Sequence, residues 1–391
     1  MKQLSKIMIA AVASVALAAP AFAWDFGASG SSSATFKQAT SSPAEGDATT
    51  TANFTSSSGG VTVSSSNTDG ANSATFSYTA DWNPDPGNFD EYVSVSGSKK
   101  VGNWTASSST SQYMQKDVIA GTANLEGTSK PMSAGGTAAI TLTDGSITYK
   151  LGDAAHLSTA EKAVNGPMSG AVDAEARVDS FEGFSVGLGV GPGTLTVALD
   201  HNAGVAGDSL GDLSLAVACG SQSTAFGLNF SGDVGADLSF TFASGSSAPS
   251  ATYCTGDNAS NAASSSTMGL GVAVPMGDIT IALDYESSGT SNTAATVETK
   301  STQSGFEISV TMGGIADGTA GINISSQAVS TTVGTGDAAE ITGAGTELWW
   351  TVPIGPVSLA VGYGSGSSTT GSDTKVTAVT TQMGAEMSMS F

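Results

Sequence analysis

The most concentrated chemistry in this 391-residue sequence is the run Val172-Asp173-Ala174-Glu175-Ala176-Arg177-Val178-Asp179. Side chains alternate along an extended strand with period two. Asp173, Glu175, Arg177 and Asp179 therefore share one face, and Val172, Ala174, Ala176 and Val178 the other. Three acids and the chain's single arginine stand in one column. Paired carboxylates can do acid–base work, and a charged column lining a passage can select ions. The solvated face of a soluble sheet would carry the same pattern. No Ser/His/Asp order and no metal-type Cys/His spacing accompanies the column, so the constellation an enzyme requires is incomplete and the chain reads as a non-enzyme.

Other candidates are weaker. Asp81, Asn83 and Asp85 have the spacing of hard oxygen ligands in calcium loops. The EF-hand pattern fails beyond them, because Pro86 and Tyr92 occupy the positions that need Gly and Glu. A solvated acidic loop is the competing reading, and calcium is the only cofactor the sequence suggests. Cys219 and Cys254 permit one disulfide in an exported chain. His156 falls in a polar stretch with Glu161 and Lys162, and the surface habit of loops predicts that it is solvated. Ser158-Thr159-Ala160-Glu161 has capping-box spacing and predicts a short helix there.

The elements that must position these residues are strands. The last nine residues place Phe391, Met389, Met387, Ala385 and Met383 on one face and Ser390, Ser388, Glu386 and Gly384 on the other. Ala138–Thr143 and Ser146–Gly152 flank Asp144-Gly145, a strong hairpin dipeptide. Ile147, Tyr149 and Leu151 share one face there, and Thr148 and Lys150 the other. Alternating runs then recur at Phe184–Val190, Leu195–Leu199, Leu213–Cys219, Ala225–Phe230, Leu238–Phe242, Leu270–Val274, Ile279–Tyr285, Phe306–Met312, Ala320–Ser325, Leu348–Val352 and Val357–Tyr363. The segments Val190–Asp200, Val274–Tyr285 and Val352–Tyr363 look alike, each with Pro near Gly and then an apolar strand. Between strands, Glu286–Ser304, Ala328–Gly345 and Ser365–Lys375 read as long polar loops. From Ser29 to Asn72, Phe54 and Val61-Thr62-Val63 are only weak strand signals.

Met1–Ala23 has the charged start, apolar run and Ala21-Phe22-Ala23 site of a secretory leader. The remainder, 24–391, reads as one domain. Losing Lys2 and Lys6 with the leader takes the net charge from −22 to −24. That charge excludes a nucleic-acid partner and should draw cations toward the molecule. No later segment is an unbroken apolar run of about 20 residues. If the chain crosses a membrane it must do so as a closed antiparallel β-barrel, because open strands leave backbone groups unsatisfied in lipid.

Gly145–Asp153, followed by the segment ending Arg177-Val178-Asp179-Ser180-Phe181-Glu182-Gly183-Phe184-Ser185-Val186, resembles the general diffusion porins, especially those of α-proteobacteria. The terminal aromatic strand similarly resembles the signal that outer-membrane barrels present to the barrel assembly machinery, with Phe391, Met389 and Met387 as its residues. The resemblance implies an all-β transmembrane barrel of about 16 strands, with 18 as the next choice. It implies a Gram-negative outer membrane as location, its lipid as surroundings, and a homotrimer. It also implies a third loop, from about Asp153 to Gly170, that folds inward and narrows the barrel. Lys150, Asp153, Glu161, Lys162, Asp173, Glu175, Arg177 and Asp179 become candidate lining residues. Small hydrophilic solutes and cations would then pass by diffusion. The alternative is a non-channel surface protein, either an adhesin-like barrel or a secreted β-solenoid. The Gly191-Pro192-Gly193 turn has two readings. The internal likeness puts it at the end of the tight turns, and the porin-like match at Ser180–Gly183 puts it at the other end.

Overall fold

The structure is a computed structural model that describes residues 24–82, 89–113, 137–154, 156–157, 160–166, 181–202, 221–249, 262–294, 297–371 and 376–391. The first nine strands are β1 (Asp25–Ser42), β2 (Thr49–Asp69), β3 (Asn72–Trp82), β4 (Phe89–Val101), β5 (Trp104–Tyr113), β6 (Thr137–Thr143), β7 (Ile147–Ala154), β8 (Phe181–Val190) and β9 (Gly193–Asn202). The other nine are β10 (Ser221–Asp233), β11 (Asp237–Pro249), β12 (Ala262–Met276), β13 (Ile279–Ala294), β14 (Val297–Ile315), β15 (Gly318–Val333), β16 (Ala339–Ile354), β17 (Val357–Thr370) and β18 (Val376–Ser390). They form one 18-stranded sheet in which strands consecutive in sequence are neighbours. β1 bonds to both β2 and β18, so the strand order closes on itself as a barrel topology.

The eighteen strands among the described residues correct the favoured count of about 16 and match its next choice. The Ser/Thr/Gly-rich start contributes an 18-residue and a 21-residue strand. Apolar alternation did not mark them, and it did not need to. In a closed ladder every backbone N–H and C=O finds a partner whatever the side chains. The long polar loops need the same correction. Glu286 pairs with Gly305 and the register runs unbroken to Ala294 opposite Val297. Ala328 pairs with Thr342, and Ser365 with Thr346. These segments lie largely in strands, which hydroxyl-rich sequence can form wherever water rather than lipid meets the side chains.

Each even-numbered strand passes to the next odd one through a short turn. Gly191, Gly277 and Gly355 occupy such turns with φ of 58°, 67° and 62°. Two-residue hairpin turns demand this left-handed backbone, which glycine adopts without strain. The Gly191-Pro192 turn thus belongs with those after β12 and β16, as the internal likeness of the three segments indicated.

The chain divides into two compact units. The first holds the described residues of 24–33, 56–144 and 390–391. Within it Phe391 N donates to Gly30 O at 2.9 Å and Gly30 N donates to Phe391 O at 2.8 Å. A Cβ on Gly30 would lie 2.6 Å from the Phe391 ring, so the terminal aromatic occupies space that only glycine leaves open. The second unit holds 34–55 and the described residues of 145–389. Its small apolar cluster is Leu157 against Ala198 and Ala243, where a connecting segment lies on the sheet.

Candidate functional site

The second unit's strands β13–β16 have two faces of opposite character. One carries Ile281, Leu283 and Tyr285 of β13, Phe306 and Ile308 of β14, Ile322 and Ile324 of β15, and Leu348 of β16, all exposed. The other carries Asp284 and Glu307 at 1% exposure and Asn323 and Glu347 at 0%. Register builds this second face from local alternation. Asp284 stands opposite Glu307, Ser309 opposite Asn323, and Asn323 opposite Glu347.

Burial of those acids comes from the connection between β7 and β8. Its described residues Ala160–Gly166 have no helix or strand of their own, so their backbone donors must find partners outside the segment. Lys162 N donates to both carboxylate oxygens of Asp284 at 2.8 and 2.9 Å, and Ala163 N donates to Asp284 Oδ2 at 2.6 Å. Val164 N donates to Ser309 Oγ at 3.0 Å, and Gly166 N to Glu347 Oε2 at 2.8 Å. Asn323 Nδ2 donates to Asn165 Oδ1 at 2.6 Å and also to the Glu307 carboxylate. A hydrogen bond of this kind contributes about 0.5–1.5 kcal/mol, and a buried group left without its partner costs about 1–3 kcal/mol. The wall therefore holds the loop by its backbone, whatever side chains the loop carries.

The wall is also shaped for close approach. A Cβ on Gly271 would stand 1.6 Å from Ala160 O, a backbone atom that cannot swing aside. Trp349 is seated in the same way. Cβ atoms on Gly166 of the loop and Gly321 of β15 would lie 2.3 and 2.4 Å from its indole ring.

The sequence-derived candidates divide clearly. Lys150 lies opposite Ser185 in the β7–β8 register and so shares the polar face. Glu161 is exposed on the loop, and Lys162 Nζ meets Asp237 Oδ2 at 2.9 Å. Met383, Met387 and Met389 are exposed in β18, and Phe391 is 65% exposed at its end. Asp81 sits within β3 opposite Gly60, rather than in a loop. Asn83, Asp85, Cys219, Cys254, Asp173, Glu175, Arg177 and Asp179 lie outside the described residues, as does the Asp153 side chain. β8 begins at Phe181, and Leu213–Cys219 is likewise undescribed.

Two expectations about the loop are corrected. His156 is not solvated but 4% exposed. Its Nε2 donates to Gly152 O at 2.8 Å, since a carbonyl can only accept. Its Nδ1 pairs with Ser185 Oγ at 2.9 Å. The loop folds back over the strand it has just left, and this covers a ring that the surface rule would expose. Likewise, Ala160–Gly166 forms no helix, because its donors go to the wall and not to the preceding turn. Sequence reasoning missed Asp284, Glu307, Asn323 and Glu347. Their signal was a single polar residue flanked by apolar ones within a strand, as in Leu283-Asp284-Tyr285, Phe306-Glu307-Ile308 and Ile322-Asn323-Ile324.

No family model matches the chain, and no curated protein does. Among solved structures it is similar to the anion-selective porin from Comamonas acidovorans, at 11% identity over 94% of this chain and 100% of that one, with a TM-score of 0.48. It is also similar to the outer membrane channel DcaP of Acinetobacter baumannii, at 10% identity over 94% and 97% of the two chains and a TM-score of 0.48. A third is the trimer form of OmpT, an outer membrane protein of Vibrio cholerae, at 12% identity over 94% and 100%, with a TM-score of 0.45.

Proposed function

We propose that this protein is an outer-membrane porin through which small hydrophilic solutes diffuse passively, with a preference for cations. One observation carries the reading: a loop is fixed by its backbone to the acid-bearing face of strands whose opposite face is apolar and exposed. Apolar side chains facing outward suit lipid, and the alternate residues then face a wet interior. A segment tied down on that interior face narrows it without closing it. The charge of −22 supports cation preference, and Lys162 is already engaged by Asp237.

The experiment is a planar-bilayer recording of the purified protein in asymmetric KCl. Stepwise conductance with a reversal potential on the potassium side is expected. Absence of conductance would end the channel reading, and a reversal on the chloride side would end cation preference alone. Membership of a homotrimer and recognition of Phe391 by the barrel assembly machinery belong to the same proposal. The seat of the Phe391 ring over Gly30 supports the second. Phe391→Ala should lower the folded yield in the outer membrane several-fold, read by heat-modifiable mobility on gels, and unheated samples of the wild type should migrate as trimers.

A further inference from the structure

A cavity of about 720 Å³ adjoins Val164–Gly166 of the loop within the second unit. Asn165 borders it from the loop, Asp317 from the β14–β15 turn, and Thr319, Trp349, Thr351 and Ser358 from the wall. Thr319 and Thr351 are direct partners across β15 and β16, so their hydroxyls share one face with Trp349, two residues along. Asn165 gives its oxygen to Asn323, which leaves its amide hydrogens for another acceptor. Trp349 is 7% exposed, and its buried Nε1 makes no hydrogen bond. Asp317 is the only charged residue among the described lining residues.

We infer that this cavity is a subsite for an uncharged polyhydroxylated solute of mono- to disaccharide size. The inference deepens the channel reading, on which it rests for the solute's route of entry. Each hydroxyl of such a molecule both donates and accepts. It can accept from the Asn165 amide, donate to the Asp317 carboxylate, and do either with the threonine and serine hydroxyls. An anion would meet Asp317 with no cation among the described lining residues. A simple cation would leave the Asn165 amide donor unserved. The volume lies within the range of small-molecule sites, about 300–1,000 Å³.

Binding is measured on the detergent-solubilised, folded protein, independently of conduction. Titration with maltose, followed by tryptophan fluorescence and by calorimetry, should saturate. Lactobionate, an anionic disaccharide derivative of similar size, should bind at least tenfold more weakly. Thr351→Val combined with Ser358→Ala should weaken maltose at least fivefold, and Thr319→Ser should stay near wild type while Thr319→Val does not. Heat-modifiable mobility checks that each variant has folded. A linear, non-saturating maltose titration of wild-type protein would overturn the inference, as would equal affinity for lactobionate. Saturable maltose binding by a protein that conducts no ions would strike the channel reading and leave the subsite standing.

Discussion

The two faces of β13–β16 invert the usual relation between polarity and exposure. Ile324 is 47% exposed, while its neighbour Asn323 is wholly buried. Leu348 is 59% exposed beside a fully buried Glu347. In a water-soluble sheet the same sequence would turn these isoleucines and leucines inward. The difference teaches that burial here is not the work of a hydrophobic core. A short loop segment laid on the wall supplies it, and hydrogen bonds from its backbone hold that segment down. The apolar face, by contrast, is satisfied only by a surrounding that is itself apolar.

The sharpest way to break this contrast is to place a charge on each face in turn. Ile324→Arg should destabilise the barrel by about 2–4 kcal/mol if its position lies near the bilayer midplane, read by equilibrium folding into phospholipid vesicles. A change below about 0.5 kcal/mol, the level of an ordinary surface substitution, would mean that this face does not meet lipid. On the loop side, Asp284→Ala removes the acceptor of Lys162 N and Ala163 N. Stranding those donors should weaken docking by roughly 2–3 kcal/mol. The readout is new protease cleavage within 156–166 together with larger, noisier single-channel conductance. Asp284→Asn keeps an acceptor oxygen and should fall between. Next in size, Gly271→Ala drives a methyl into Ala160 O, and overpacking of this kind costs about 1–3 kcal/mol. It should raise conductance in the same direction as Asp284→Ala, with every wall carboxylate intact, which separates shape from charge. Lys162→Ala should have the least effect on stability, about 0–1 kcal/mol for a partly exposed pair. It should move the reversal potential slightly toward stronger cation preference, because it deletes a positive charge while the loop amides stay bound.

Much of the strand framework was legible in the chain. Alternation marked the cores of β12–β17, the Asp144-Gly145 hairpin and the outward methionines of β18, because period two is a property of the local backbone. It failed where the sequence is polar. The hydroxyl-rich β1 and β2, and the polar extensions of β13–β17, pair through backbone groups that leave no mark on side-chain pattern. The favoured count of about 16 came from the resemblance, and its next choice, 18, is the number found among the described residues. The candidate site was less legible. Attention went to residues close in sequence, such as Glu161 and Lys162, whereas the acids that grip the loop come from strands 121 to 181 residues away. His156 was misjudged for a related reason, since nothing in its neighbours tells that the chain turns back over β7.

Sequence alone determined that the chain would be extended, that its faces would differ in polarity, and where its glycine turns would fall. These follow from φ/ψ preference and from alternation between adjacent residues. Only the tertiary structure decided which acids meet the loop, why Gly271 and Gly321 carry no side chain, and that His156 and Trp349 are buried. Those outcomes depend on register across strands and on a chain reversal that brings distant residues within bonding distance, and no local pattern records either.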